Sequence, residues 1–246
     1  MGIAIPGSVS GVTGRIKNAN STWLNGQNLS RDLSQALQGR PVYLENDANC
    51  FALSEAVDGA GQGYRVVWGL ILGTGSGSGI VIDGKTQEGR HGLGGEWGHN
   101  SLPWQTEEDK AMISKMQCYC GFSDCVELFV SGTGFERAYA FLASGEVRPS
   151  LKGPQIMELC SGGDLTAVAA FEAYLSRLAR AIAATVNVLD PDVIVLGGGM
   201  SNVDELYSRL PEAIVPYIFG HEFSTPIVKA RYGDSSGVRG AAWLNP

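Results

Sequence analysis

The chain has 246 residues, enough for one large domain or two modest ones with a real core. Hydrophobic residues make up 44% and charged residues only 17%, which excludes a mostly disordered chain. Eighteen Lys and Arg stand against 25 Asp and Glu, a net charge of −7 with no basic run, which argues against a nucleic-acid face.

Gly2–Ile5 reads as a short strand ending at Pro6-Gly7, and residues 9–17 as a hairpin turning at Thr13-Gly14. A short helix over 29–38 and a strand over 42–44 follow. Asn46-Asp47 then caps a helix over 48–57, and 59–63 is a turn or hinge. Val66–Leu72 is a clear strand, far shorter than the roughly 20 apolar residues of a membrane span. A Gly-rich lead-in (73–79) precedes a second strand at 80–82 and the turn Asp83-Gly84. Residues 87–104 read as loop, and 107–116, 126–130 and 134–143 as helices. The strongest helix runs from Asp164 to Asp190. Val168, Phe171, Leu175, Leu178, Ile182, Val186 and Leu189 form its buried stripe, and Pro191 stops it. A strand at 193–196 leads through Gly197-Gly198-Gly199 to a helix at 204–210, an arrangement that offers backbone N–H groups to a phosphate. The 34 glycines are read as loops through which backbone approaches a ligand.

Two motif matches fail on mechanism. Residues 79–86 fit the P-loop pattern by letter, but the middle positions are β-branched strand residues and no helix follows Thr86. Gly233-Asp234-Ser235-Ser236-Gly237 fits a nucleophile elbow, but the last histidine, His221, precedes it, so a turn is the better reading.

Five cysteines and no secretory leader point to a reducing, cytoplasmic setting and to a metal before a disulfide. Cys118, Cys120 and Cys125 form a C-x-C-x₄-C claw suited to a structural zinc ion. His99 is the best candidate for the fourth ligand, His91 the second and His221 a distant third; Cys50 and Cys160 read as small hydrophobes. Glu45-Asn46-Asp47, at a strand end, can orient a hydroxyl and take its proton, although Asp47 could equally serve only as a helix cap. Glu96 stands near His99, and Glu127 follows the claw.

Together these residues resemble the ROK sugar kinases. Pro6-Gly7, Asn46-Asp47, Gly73-Thr74-Gly75, Glu96-Trp97-Gly98-His99, the claw with Glu127, Ser131-Gly132-Thr133-Gly134 and Gly197-Gly198-Gly199 stand in that family's order. Asn18-Ala19-Asn20-Ser21-Thr22-Trp23 and 193–203 look most like bacterial fructokinases of the manno(fructo)kinase type. The resemblance implies an α/β, two-lobed actin-like ATPase (ribonuclease H-like) fold, divided into 1–63 and 64–246, and often a homodimer. It implies Asp47 as general base, with Asn46, Glu96, His99 and Glu127 on the sugar hydroxyls and Gly7 close to the ring. Gly73, Thr74 and Gly75 would approach the ATP phosphates; Thr133, Gly197, Gly198 and Gly199 would line the nucleotide site. His99 would serve both zinc and sugar, and Mg²⁺ would bridge the phosphates.

Fructose 6-phosphate formation is the expected reaction, with glucose or N-acetylglucosamine as the alternative hexose. The non-enzymatic readings are a sugar-responsive regulator, which in this family carries a helix-turn-helix, and a sugar-binding remnant. The family's Asp-x-Gly-Gly-Thr-Lys segment is missing from the sequence, so the expectation is a truncated N-terminal lobe. One smaller departure is Asp124, where relatives usually have Gly.

Overall fold

The computed structural model describes residues 1–143 and 151–244; residues 144–150 and 245–246, part of the expected unit 64–246, lie outside the described residues. The class is α/β. In the N-terminal part, β1 (Gly2–Ile5) pairs in parallel with β4 (Tyr43–Asn46), while β2 (Ser8–Val9) and β3 (Ile16–Lys17) form the expected hairpin. The first helix, α1 (Leu29–Ala36), lies between β3 and β4 in the chain.

The main sheet is built from β5 (Val66–Leu72), β6 (Ser76–Ile82), β7 (Lys85–Thr86), β8 (Val193–Gly197) and β9 (Ile227–Lys229) in the order β7-β6-β5-β8-β9. The β5, β8 and β9 strands are parallel; β6 and β7 run antiparallel to their neighbours. Alternation along the strands sorts two faces. Trp68, Leu70, Leu72, Ile194 and Leu196 face a large core with α5 (Gly132–Leu142) and α7 (Leu165–Leu189). Val67, Val81, Val193 and Val195 pack with Phe51 and Leu53 of α2 (Asp47–Asp58).

This second face explains part of the glycine excess. Gly69 of β5, Gly77 and Gly79 of β6 and Gly197 of β8 lie under α2. A Cβ would stand 2.9 Å from the Phe51 ring at Gly69 and 2.6 Å from it at Gly197; at Gly79 it would fall on the Ala48 carbonyl. The helix therefore lies almost on the backbone of the sheet. On its other side α9 (Ser236–Ala242) presses Gly240 against the Cys50 carbonyl, and Gly2 of β1 meets Ala241 in the same way. Glu55, fully buried, ties these pieces together. Its carboxylate accepts from Ala60 N (2.9 Å), Arg231 N (3.0 Å) and Ser236 Oγ (2.8 Å). The last helix thus returns to the N-terminal part of the chain.

Several expectations are corrected. The Gly-rich run at 73–79 is not all loop: β6 begins at Ser76, because its glycines are sites of helix contact. This places residues 79–82 in a strand, which removes the P-loop match as expected. The helix at 107 ends at Ile113 (α3, Glu107–Ile113), and α8 (Glu205–Ile214) runs on through Pro211, because Leu206, Leu210 and Ile214 form one buried face. Two further helices, α4 (Glu127–Val130) and α6 (Gly153–Ser161), flank α5 in the chain. Sequence reading passes over α6, β9 and α9. In α7, Val168 and Leu189 are only half-buried, while Arg177 and Arg180 are buried. Both arginines pair with Asp109, at 2.6 and 2.9 Å. Burial pushes the Asp109 carboxyl up, but the Thr106 N–H and the two guanidiniums hold it below the usual range. Arg180 Nη1 also donates to Trp104 O (2.6 Å), which fixes the loop leading away from His99.

Gly79→Ala should cost about 1–3 kcal/mol, since an overpacked methyl must displace backbone. Gly199→Ala, where a Cβ meets nothing within 4 Å, should stay within about 0.5 kcal/mol. Chemical denaturation of the two variants checks the difference.

Candidate active site

The β4–α2 junction sets the first wall. Asn46 caps α2, its Oδ1 accepting from Ala48 N (2.9 Å) and Asn49 N (3.2 Å), while its Nδ2 donates to Gly7 O (3.2 Å). One amide thus holds the helix start and the Pro6-Gly7 turn together. Gly7 has φ +96° and lies flush against Lys17 and Ala19. Asp47 follows as the first residue of α2, its Oδ1 accepting from Ala48 N at 2.8 Å. The cap of α2 is Asn46, so the reading of Asp47 as only a helix cap is corrected: Asp47 is the first residue inside the helix and a cavity group. Burial pushes the Asp47 carboxyl above its ordinary value, with the Ala48 N–H opposing.

The second wall is the turn after β5. Gly73 O accepts from Gly132 N (2.6 Å), and Thr133 Oγ1 donates to Thr74 O (2.8 Å). Gly198, at φ +79°, abuts the Leu72–Gly73 backbone. The turn therefore sits where the parallel strands β5 and β8 both end, the edge at which open α/β sheets bind ligands.

The third wall is the loop bearing Glu96 and His99. A Cβ at Gly95 or Gly98 would fall on the Ser78 or Ser76 carbonyl, so this loop lies directly on β6. Trp97 packs edge-on against Trp68, centroids 5.4 Å apart, and roots the loop in the core. His99 Nδ1 is 3.5 Å from Cys118 Sγ, and its Nε2 is 2.8 Å from Tyr119 Oη and 4.0 Å from Glu96 Oε2. One face of the ring thus meets the thiols and the other the cavity. Glu127 closes the wall: Oε2 accepts from Ser76 N (2.9 Å) beside Gly75, and Oε1 lies 4.0 Å from Cys118 Sγ. Burial raises the Glu96 carboxyl; His99 opposes this, and Asp47 and Glu127 reinforce it.

These walls enclose a cavity of about 230 Å³ lined by Gly7, Asn46, Asp47, Gly73, Thr74, Gly75, Glu96, His99 and Glu127, with no Lys or Arg among its lining residues. Thr133, Gly197, Gly198 and Gly199 do not line it. They lie behind the turn, where Thr133 and Gly198 brace it. Asn18, Asn20, Ser76, Ser78 and Tyr119 also line it; the sequence offers Asn18 and Asn20 only as part of the family likeness and assigns none of the five to the site. Only the position of Tyr119 inside the claw hinted at a role.

The ligand atoms of His99, Cys118, Cys120 and Cys125 all lie within 4.8 Å of one another. Cys120 and Cys125 Sγ are 3.4 Å apart. A tetrahedral zinc site with Zn–S bonds of about 2.3 Å places its sulfurs roughly 3.8 Å apart, so the donor set fits such an ion. His91 and His221 are not in the cluster.

Comparison with known proteins identifies the family: the ROK family matches across residues 1–246. The chain belongs to the ROK family. An N-acetyl-D-glucosamine kinase from Pectobacterium atrosepticum is 42% identical over 246 residues, covering 100% of this chain and 79% of that protein. Among solved structures, the ROK hexokinase of Thermus thermophilus superposes with a TM-score of 0.80 at 33% identity, covering 99% of this chain and 77% of that one. A ROK family glucokinase from Streptomyces griseus, in complex with glucose and AMPPNP, gives 0.81 at 28% identity, covering 99% and 80%. The fold is therefore the α/β, actin-like ATPase fold of the ROK proteins, and this chain spans about four-fifths of these relatives' length. The similarity to ROK sugar kinases holds. The finer likeness to fructokinases does not find its match in these relatives. Among the described residues, no helix is long and apolar enough to cross a membrane.

One titration is a by-product of this architecture. Burial pushes Glu45, next to Asn46, up to about 7; its bonds from Asn49 and Asn46 oppose this, and the neighbouring Glu88 adds to it. Its neutral form is thus favoured by folding. The resulting stability is complete below its ordinary value of 4.5 and is lost as pH rises through about 7. Glu45→Gln should flatten the fall in unfolding free energy between those limits, a slope of at most about 1.4 kcal/mol per pH unit. Denaturation midpoints at pH 4.5 and 7.5 check this.

Proposed function

We propose that this ROK sugar kinase transfers the γ-phosphoryl group of ATP to the 6-hydroxyl of N-acetyl-D-glucosamine. The single observation behind the reading is the shared cavity: Asp47 on one wall, Glu96, His99 and Glu127 on another, and the Gly73-Thr74-Gly75 turn between them. Phosphoryl transfer asks the protein for alignment and charge neutralisation rather than covalent chemistry. The cavity is rich in carboxylates and lacks cations, which suits a neutral polyol whose hydroxyls donate. Glu96, Glu127 and His99 Nε2 bind those hydroxyls and penalise a sugar that lacks one. Asp47 accepts the proton of the attacking hydroxyl. Its burial makes it a stronger base than an exposed carboxylate.

The backbone of Gly73, Thr74 and Gly75 approaches the phosphates without side chains in the way. Thr133 and Gly198 hold the turn, and with Gly197 and Gly199 they line the nucleotide side. Mg²⁺ bound with ATP would supply the charge neutralisation that a cavity without Lys or Arg does not. Zinc held by His99, Cys118, Cys120 and Cys125 would be structural, its four protein ligands leaving no open position. It would lock the His99 ring with Nε2 toward the sugar.

The choice of hexose rests on the relatives. Those at 41–43% identity across 99–100% of this chain are named N-acetyl-D-glucosamine kinases. This favours the alternative hexose over fructose.

In a coupled ADP-release assay, N-acetylglucosamine should give a kcat/KM at least tenfold above fructose. A preference for fructose would contradict the reading. Asp47→Asn should lower kcat by about 10²- to 10⁴-fold, with an unchanged melting curve because Asn can still accept from Ala48 N. The wild-type rate should fall on the acid side through an apparent pKa above the ordinary aspartate value of 3.8.

A further inference from the structure

A second, larger cleft of about 820 Å³ adjoins the sugar cavity. The two share Asn18, Ser78, Glu96, His99 and Tyr119 as walls, whereas Asp47, Asn46 and the Gly73-Thr74-Gly75 turn line the smaller one alone. Beyond the shared wall the larger cleft is flanked by apolar groups: Ala19, Ile80, Leu93, Trp97 and Phe122. Leu93 and Phe122 are 48% and 64% exposed, so its rim opens to solvent. Trp68 lines it as well.

Sugar stereochemistry links the two spaces. In a pyranose, C5 carries the 6-hydroxymethyl group, and C2 stands across the ring from C5. With the 6-hydroxyl at Asp47, a C2 substituent leaves the ring on the far side, toward Glu96, His99 and the shared wall. A cavity of about 230 Å³ has room for the ring, and the substituent continues into the cleft. The partly apolar flank and open rim set no end-stop at the length of an acetyl group.

We propose that this cleft is an N-acyl subsite that admits acyl chains longer than acetyl, with Leu93 and Phe122 at its mouth. The assignment rests on the reading of the chain as an amino-sugar kinase. It makes this an N-acyl-glucosamine kinase, in which chain length beyond acetyl costs little.

The test uses the full chain with N-acetyl- and N-butanoyl-glucosamine, following ADP release and, separately, sugar binding by calorimetry. Wild-type protein should phosphorylate the butanoyl sugar with a kcat/KM within tenfold of the acetyl sugar. Leu93→Trp, which fills the mouth from an exposed position, should lower the butanoyl-to-acetyl ratio at least fivefold. A tenfold or greater loss from acetyl to butanoyl in the wild type, or an unchanged ratio in Leu93→Trp, would overturn the subsite. Calorimetry separates this from the kinase reading. Equal binding of both sugars with no product would remove the kinase reading and leave the cleft assignment standing, while binding of neither would remove both.

Discussion

The contact between α2 and the glycines of three strands governs the rest of the molecule. A helix axis normally stands several ångströms further from a sheet than side-chain-free contact allows. Here Gly69, Gly77, Gly79 and Gly197 remove the spacer, and Phe51 lies across the gap they leave. The consequence is positional. The first turn of α2 carries Asp47, and the close approach brings that turn to the level of the strand ends where β5 and β8 stop. An alanine spacer at Gly79, where a Cβ would stand 2.4 Å from the Ala48 carbonyl, would lift the helix and carry the carboxylate away from the Gly73-Thr74-Gly75 turn. The fold's stability and the placement of the proposed base therefore depend on one interface.

The opposite wall is positioned by a different device. Glu96 and His99 sit on a short loop, which alone would be a poor platform. It is made rigid from three sides: Gly95 and Gly98 lie on β6, Trp97 is rooted beside Trp68, and the His99 ring joins the thiol cluster. Glu127 completes the link, one oxygen on the Ser76 N–H and the other toward Cys118. A structural ion in the cluster would thus act on sugar recognition through ring orientation, without contact with the reacting atoms.

Much of this was legible in the sequence, and the parts that were not have physical reasons. Val66–Leu72 and the 25-residue helix α7 declared themselves because their periodicity is dictated by burial on fixed faces. The claw with His99 was legible because metal ligands need short, recognisable spacings. Asn46-Asp47, Glu96 and Glu127 could be placed only through the ordered resemblance to a family, since a carboxylate at a helix start looks the same whether it caps or catalyses. Gly77 and Gly79 give no strand signal, because a missing side chain carries no sign of what fills the space. Arg177 and Arg180 interrupt no apolar stripe, and their partner Asp109 lies some 70 residues away in sequence, so their burial was invisible. Helix α9 is short and small-residued, and its packing on α2 is a long-range event with no local signal. The preferred hexose is also beyond reach, because selectivity among hexoses rests on small differences of pocket shape that no motif spells out.

The central claim is that Asp47, held by the glycine-bedded helix, faces the attacking hydroxyl across from the phosphate turn. A crystal structure of the protein with N-acetylglucosamine and a non-hydrolysable ATP analogue tests it most directly. The account predicts the sugar's 6-oxygen within hydrogen-bond reach of an Asp47 carboxylate oxygen, about 2.6–3.2 Å, with the terminal phosphate in line beyond it. A sugar bound with that oxygen directed away from Asp47, or seated outside the cavity, would contradict it.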